Sequence, residues 1–411
     1  MRGIIITMLL LQAWSIVAQN FEPYYQAAAA NHPQLKAVFN QYYAIKEQVT
    51  QVKLPPPSAA LGLFILPVET RLGAQRFKVG VSQMFPAFGA LKAQKSLIHQ
   101  KARVALQEAE IIRNELYFSL RNIWYQTAEV QAMIAVEKES IKLLETMERL
   151  ALQKIEVGKA SLAEVYRLKL KINERKGNLD LLNNKLPALR LAFNLLIKED
   201  ALEMPSMGDT IALRTLTYPK DSLVKWIQQQ NPKLESLDLK QELALKKMNW
   251  QKTKNRPTYG LGLDYVFLTK RTDLDPPQNG QGVLMPMFRI SVPIYKDQNQ
   301  ARLKEVAFEL LALEDQKEQT SDVLTLELER ALAAYQAAKI QVKLYQEQIN
   351  FSQKTVRLLL TNYSVDNKGF EDLLNVEDLL LKYQKMLLRA SIAQNTALIQ
   401  IEKLFAQPLF N

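Results

Sequence analysis

Two stretches of this chain run too long without a helix breaker to belong to ordinary globular helices. Residues 91–157 hold no Gly or Pro over 67 positions, and residues 297–368 hold none over 72. At about 1.5 Å per residue each makes a rod of roughly 100 Å. Each rod is preceded by a pair of strand-like segments and followed by a shorter helical arm. The pattern predicts one very elongated unit built twice, a shape that suits spanning a distance more than it suits chemistry.

The duplication is visible residue by residue. Val136, Leu143, Leu150 and Val157 fall at seven-residue spacing, and Leu344, Phe351, Leu358 and Val365 repeat them 208 positions later. The run Val81 to Phe85 matches Ile290 to Ile294 at an offset of 209, and Leu61-Gly62-Leu63 matches Leu261-Gly262-Leu263 at an offset of 200. Asn31-His32-Pro33-Gln34-Leu35 is echoed by Asn231-Pro232-Lys233-Leu234. The jump in offset places a longer loop between the two strands of the second pair. Strand, turn and helix recur in the same order, which is an architectural signal.

The first 18 residues read as a secretory signal: Arg2 supplies charge, Ile4 to Leu11 the apolar core, and Ala18 a small residue before a cut at Gln19. The apolar run is too short for a membrane helix. The chain has no Cys, which excludes a disulfide framework and thiolate chemistry. The formal charge is +11, on a chain that is 23% charged. Its Lys and Arg are spread along helix faces rather than clustered with aromatics, so they read as solvated surface and not as a nucleic-acid site.

The pass along the chain gives two repeats around an irregular segment. Residues 19–197 hold a helix from 21 to about 52, strands at about 58–66 and 75–85 joined by a turn at Glu69 to Gly73, and a long helical hairpin at about 89–197. The hairpin reverses at Gly158-Lys159-Ala160, and Gly177 and Pro187 weaken its return arm. Residues 198–220 are irregular. Residues 221–411 hold a helix to about 254, strands at about 257–268 and 282–294, and a second hairpin at about 297–407. The arm at 159–197 plus the helix at 221–255 matches a rod in length, and so does the last arm plus the first helix. Each rod therefore pairs with two half-length helices stacked end to end, with 198–220 and the chain ends forming a belt at mid-height. The seven-residue spacing favours left-handed coiling near the hairpin tips.

The strands point to location. Each has about the length that crosses a bilayer as a tilted strand. Phe77, Val79 and Val81 alternate with Arg76, Lys78 and Ser82, and Tyr259, Leu261, Leu263, Tyr265 and Phe267 alternate with Gly260, Gly262 and Asp264. Phe288, Ile290, Val292 and Ile294 continue the apolar face, opposite Arg289 and Ser291. Apolar-out and polar-in is the pattern of an outer-membrane barrel, although alternation also fits a soluble layer buried on one side. Four strands cannot close a barrel, and an open edge is not viable in lipid. In a membrane the chain must oligomerise, and three copies would supply twelve strands, an even number within the known range.

These features resemble the TolC family of outer-membrane channel proteins, over nearly all of the chain after the signal. The runs VSQMFPAFGALKAQKS and ISVPIYKDQNQARLKE at the strand ends carry the resemblance, with IEVGKASLAEV and YSVDNKGFEDLL at the tips. The resemblance implies a mainly α fold with a small β part: a homotrimer with a twelve-stranded transmembrane β-barrel in the outer membrane and an α-helical barrel crossing the periplasm. It implies a passive exit duct for drugs, toxic compounds, metal ions or secreted proteins, docked to a periplasmic adaptor protein and an inner-membrane pump. It also implies a gate at the hairpin tips, with Glu164 at the acidic position of the first repeat, Tyr363 and Lys368 at the tyrosine and basic positions of the second, and Asp372 facing the pore. Gly158 matches the tip glycine of the first repeat, whereas the second has Asp366 there and Gly369 three residues later. Asn375 stands where a further acid is expected, which puts a full second acidic ring in doubt.

Other classes are weaker. A periplasmic coiled-coil adaptor that never enters a membrane is the alternative, but it has no use for a lipid-facing aromatic stripe. An enzyme is not expected: there are two His, no nucleophile elbow and no phosphate-binding glycine loop. No cofactor and no metal site are expected. His32 and His99 lack partner spacing, and Met285 and Met287, which tempt a soft-metal reading, read as strand residues.

Overall fold

The computed structural model describes residues 21–199, 212–365 and 369–406. The expected signal at 1–18 lies outside the described residues. The chain follows one plan twice. The first half runs α1 (Glu22–Asn31), α2 (Pro33–Gln51), β1 (Ser58–Leu63), a two-residue β2 (Glu69–Thr70), β3 (Gly73–Phe85), α3 (Ala90–Glu156) and α4 (Leu162–Ile197). The second runs α5 (Lys220–Gln230), α6 (Pro232–Lys254), β4 (Thr258–Thr269), β5 (Val283–Ser291), α7 (Lys296–Val365) and α8 (Phe370–Phe405). The rods α3 and α7 have 67 and 70 residues. No helix among the described residues is long and apolar enough to cross a membrane.

The helix expected to open each half is two helices, not one. The breaks fall at His32 (φ −61°, ψ 122°) and Asn231 (φ −67°, ψ 121°), each immediately before a proline. A residue before Pro is driven out of the α region, and Pro then fits the first turn of the next helix. Asn231 caps that helix: its Oδ1 accepts from the backbone N–H of Lys233 and Leu234. By contrast α4 runs unbroken through Gly177 and Pro187. There Leu182, Leu186 and Leu189 are packed against Val130, Met133 and Ile134 of α3, which holds the helix across its weak point.

The strands form one antiparallel sheet in the order β1-β3-β4-β5, so the repeats are joined through β3 and β4. β1 stops at Leu63 and β5 at Ser291, short of the expected ends near 66 and 294. Pro67 and Pro293 have no N–H to extend the ladders. Pro286 is tolerated inside β5 because β5 is an edge strand. The register sorts the side chains by face. Leu61, Val79, Tyr265 and Leu284 share one row, Val81, Leu263 and Pro286 another, and Leu261 and Phe288 a third, all on the same face. That face is bare: Leu61 is 68% exposed and Phe288 63%. The opposite face carries Ser58, Ser82, Gly262 and Met287 in one row and Ala60, Gly80, Asp264 and Met285 in the next.

The helices meet in two hairpins. α3 packs on α4 and α7 on α8, while α2 and α6 pack beside the rods nearer the sheet and α8 also contacts α3. Near the tips the core is Leu144, Met147, Ala151, Val165, Leu168, Ile172, Val356, Tyr363, Leu373 and Leu374. The seven-residue stripe of α7 is not in that seam. Leu344, Phe351, Leu358 and Val365 are exposed, as are Leu162, Tyr166 and Leu170 on α4. A single chain buries one face of each rod; these side chains lie on the other.

At mid-height the segment before α5 crosses α7 and α8. Asn395 bonds the backbone of Arg214 and Ala212, Gln394 Nε2 donates to the Arg214 carbonyl, and the Tyr335 hydroxyl accepts from Leu216 N–H at 3.0 Å. Arg214 is ion-paired with the buried Glu402. Part of the expected belt, residues 200–211, lies outside the described residues. The start of α1 and the end of α8 approach each other here, since Glu22 and Ala406 line one cleft with Tyr25, Arg113 and Tyr117.

Candidate gate and hairpin seam

Both hairpins reverse through a glycine in the left-handed region, Gly158 at φ +69° and Gly369 at φ +92°. A side chain there would strain the backbone. Past Gly158, Ser161 caps α4. Its Oγ accepts from the backbone N–H of Glu164 and donates to Glu164 Oε1 at 3.5 Å, so Ser161 is the N-cap of α4 and also touches the Glu164 carboxylate. That contact engages one oxygen of Glu164 and leaves the other, Oε2, to accept from the Tyr363 hydroxyl at 2.9 Å. Tyr363 is fully buried between the hairpins, with Lys154 over its ring at 4.9 Å and Phe370 at 5.8 Å. Burial, followed by the bond to Glu164, raises the tyrosine's pKa well above the usual phenol range, so it stays a donor.

Of the expected gate residues, the structure therefore brings Glu164 and Tyr363 together. Lys368 lies outside the described residues. Asp372 is exposed two residues into α8, and Asn375 is exposed as well. Gly158 and Gly369 both sit at the turns.

Above the tip a ladder of ion pairs joins the two hairpins, and its polarity reverses on the way up. Near the tip α4 is basic and α8 acidic: Arg167 pairs with Glu371, Lys171 with Asp378 at 2.8 Å, and Arg175 with Asp378 and Glu377. Higher up α8 is basic and α3 acidic: Lys385 pairs with the buried Glu137, and Arg389 with Glu129 at 3.9 Å. At the changeover Glu377 is 1% exposed and accepts from Ser140 Oγ at 2.5 Å, while Arg175 is 5% exposed. Burial raises the pKa of Glu377 above the usual carboxylate range; the Ser140 bond and the Arg175 charge pull it part of the way back. Sliding α8 along the groove between α3 and α4 would set like charges together, so the ladder admits one register.

This seam was not foreseen from the sequence, though it leaves a trace there. Val165, Leu168 and Ile172 step along the apolar face of α4 and the next position is Arg175; on α8, Leu373, Leu374 and Leu381 bracket Glu377. A charge on an apolar stripe is the signal of a buried pair. The other singled-out residues do not converge. His32 sits at the helix break, His99 is exposed on α3, and Met285 and Met287 are in β5. Among the described residues no group of three or more His, Asp or Glu side chains is placed to hold a metal ion.

No protein-family model matches the chain, and no curated protein matches it in sequence. Solved structures align with it almost end to end. The transmembrane channel protein CusC superposes with a TM-score of 0.76 at 15% identity, over 95% of this chain and 92% of CusC. The chain has the fold of an outer-membrane channel protomer. The CmeC outer-membrane channel of Campylobacter jejuni gives 0.71 at 13% identity, over 96% of this chain and 87% of its own. The VceC outer-membrane protein of Vibrio cholerae gives 0.70 at 15% identity, over 93% and 95%. The TolC-like channel fold expected from the strand-end and tip motifs is thus the fold observed: a long double hairpin carrying a four-stranded antiparallel sheet, with β2 a minor addition.

Proposed function

We propose that the chain is one protomer of a homotrimeric outer-membrane exit duct, whose strands complete a twelve-stranded barrel and whose helices form a tunnel across the periplasm. One observation carries this reading: among the described residues the sheet has two unpaired edges and an outer face that is apolar apart from Gln83, whose amide nitrogen is bonded to the Pro55 and Met84 carbonyls. Along β3 the face is bounded by Phe77, stacked on Phe267 at 4.1 Å, and by Phe85, which pairs with Tyr259. Those two aromatic rows are eight residues apart, about 27 Å along a strand and about 20 Å in height at a tilt of roughly 40°. A lipid-facing band of a barrel is about 25 Å tall between aromatic girdles. A sheet with this face and open edges is unstable both in water and in lipid until other copies complete it.

The helices support the same assembly. The exposed stripes on α4 and α7 are apolar faces that a neighbouring protomer would cover. A duct needs a partner that delivers cargo, so the reading includes a periplasmic adaptor protein engaging the hairpin tips and an inner-membrane pump, with efflux or secretion as the task. The seal at the closed tip is assigned to Glu164 and Tyr363, with Asp372 facing the pore. A coiled-coil adaptor remains the alternative class; it would leave the aromatic-bounded apolar face with nothing to contact.

The test is extraction and reconstitution. The protein is expected in the outer-membrane fraction, requiring detergent, with the mass of a trimer, and forming conducting pores in planar bilayers. A monodisperse, detergent-free monomer would overturn the reading.

A further inference from the structure

Resting on the channel reading above, we infer that Arg76 and Arg289 line the lumen of the β-barrel and bias it towards anionic cargo. The one acid of β1, β3, β4 and β5 is Asp264. Asp264 is on the inward face but is withdrawn from it. Its side chain is 6% exposed and Lys78 Nζ lies 3.1 Å from its Oδ2. Gly80 makes room for this: a Cβ there would fall 2.0 Å from Asp264 Oδ1. The carboxylate is pressed against backbone and the lysine spans the strands to neutralise it.

That leaves two cations without an acid. Arg289 occupies the inward row of Met84 and Gly260, at the helical end of the sheet. Arg76 is eight residues from Met84 along β3, about 27 Å at regular strand spacing; it stands at the break in register between Gln75 and Phe77, where its carbonyl accepts from Phe64 N–H. Both are exposed. Among the described residues neither side chain has an ion pair or hydrogen bond. The inward rows between them are small or uncharged apart from the neutral Lys78–Asp264 pair. Fixed guanidinium charges in a low-dielectric wall, repeated by each protomer, favour anions and repel cations along this stretch. The exposed Asp372 at the far end of the helices acts in the opposite sense, so the two ends of the duct compete.

The experiment is the reversal potential of single channels under a potassium chloride gradient, for the parent protein, Asp372→Asn, and each with Arg76→Gln/Arg289→Gln added. With the tip acid removed, chloride should be preferred over potassium. The double arginine change should lower the chloride-to-potassium permeability ratio by about twofold or more in both backgrounds. Arg76→Lys/Arg289→Lys, which keeps the charge, should restore the ratio and provides a folding control. A conducting Asp372→Asn channel that does not prefer chloride, or a ratio indifferent to both arginines, would overturn the inference while leaving the channel reading intact. Absence of conductance from the parent protein would instead remove the channel reading, and the inference with it.

Discussion

Replacing Tyr363 with Phe deletes one hydroxyl and little else. The ring keeps its place in the tip cluster with Val356, Phe370 and Leu374, and what is lost is the 2.9 Å bond to Glu164. A hydrogen bond to a charged acceptor contributes about 1.5–3 kcal/mol when buried. Glu164 is half exposed, and water will satisfy the oxygen left behind, so the net loss is about 1 kcal/mol per protomer. If three such bonds must break together for the pore to open, the closed state loses about 3 kcal/mol, a shift on the order of a hundredfold in the open-to-closed ratio. The assay is open probability of Tyr363→Phe against the parent in a planar bilayer at fixed voltage. Glu164→Gln, which keeps an acceptor oxygen but loses the charge, should fall between the two. A Tyr363→Phe channel with the parent's closed-state lifetime would refute the latch and leave the pair as packing and capping alone.

The remaining predictions concern the seam and the sheet. Arg175→Ala strands the buried Glu377 without its cation and should cost about 3 kcal/mol or more, read as a lower midpoint of thermal unfolding in detergent; an unchanged midpoint would mean that the ladder is ornamental. Because the pKa of Glu377 is raised in the folded protein, its stabilising effect is complete below the unfolded-state pKa and fades as pH rises through the folded value. The midpoint of Glu377→Gln minus that of the parent should therefore grow from acid to neutral pH, and a flat difference would contradict the burial argument. On the sheet, Leu263→Lys on the outer face should cost about 2–4 kcal/mol in a bilayer. Ser82→Lys, on the inner face, should insert normally; equal tolerance of the two would reverse the assignment of faces.

How much was legible in the sequence depended on whether a feature was local. Breaker-free runs specify α3 and α7 because helix continuity depends on neighbouring residues. The period of two specifies which strand residues share a face, because the pleat alternates whatever the partner is. The paired prolines at 33 and 232 mark the helix breaks at His32 and Asn231 for the same local reason, since the residue before a proline leaves the helical region. Glu164 and Tyr363 were reached by resemblance, and the N-cap at Ser161 was readable beside them.

Contacts distant in sequence had to come from the tertiary structure. The stripe Leu344, Phe351, Leu358 and Val365 has the spacing of a coiled-coil seam, yet it faces outward, because periodicity identifies an apolar face without saying what covers it. Arg175 and Glu377 lie some 200 positions apart, and each looks like an isolated charge until α8 is laid in the groove between α3 and α4. The pairing of β3 with β4, which sets Lys78 diagonally across from Asp264 and leaves Arg76 and Arg289 without an acid among the described residues, likewise depends on bringing the two repeats side by side. Strand and helix are determined by short-range sterics and spacing. Register, ion pairing and the choice of which apolar face stays bare are determined by which surfaces the folded chain can reach.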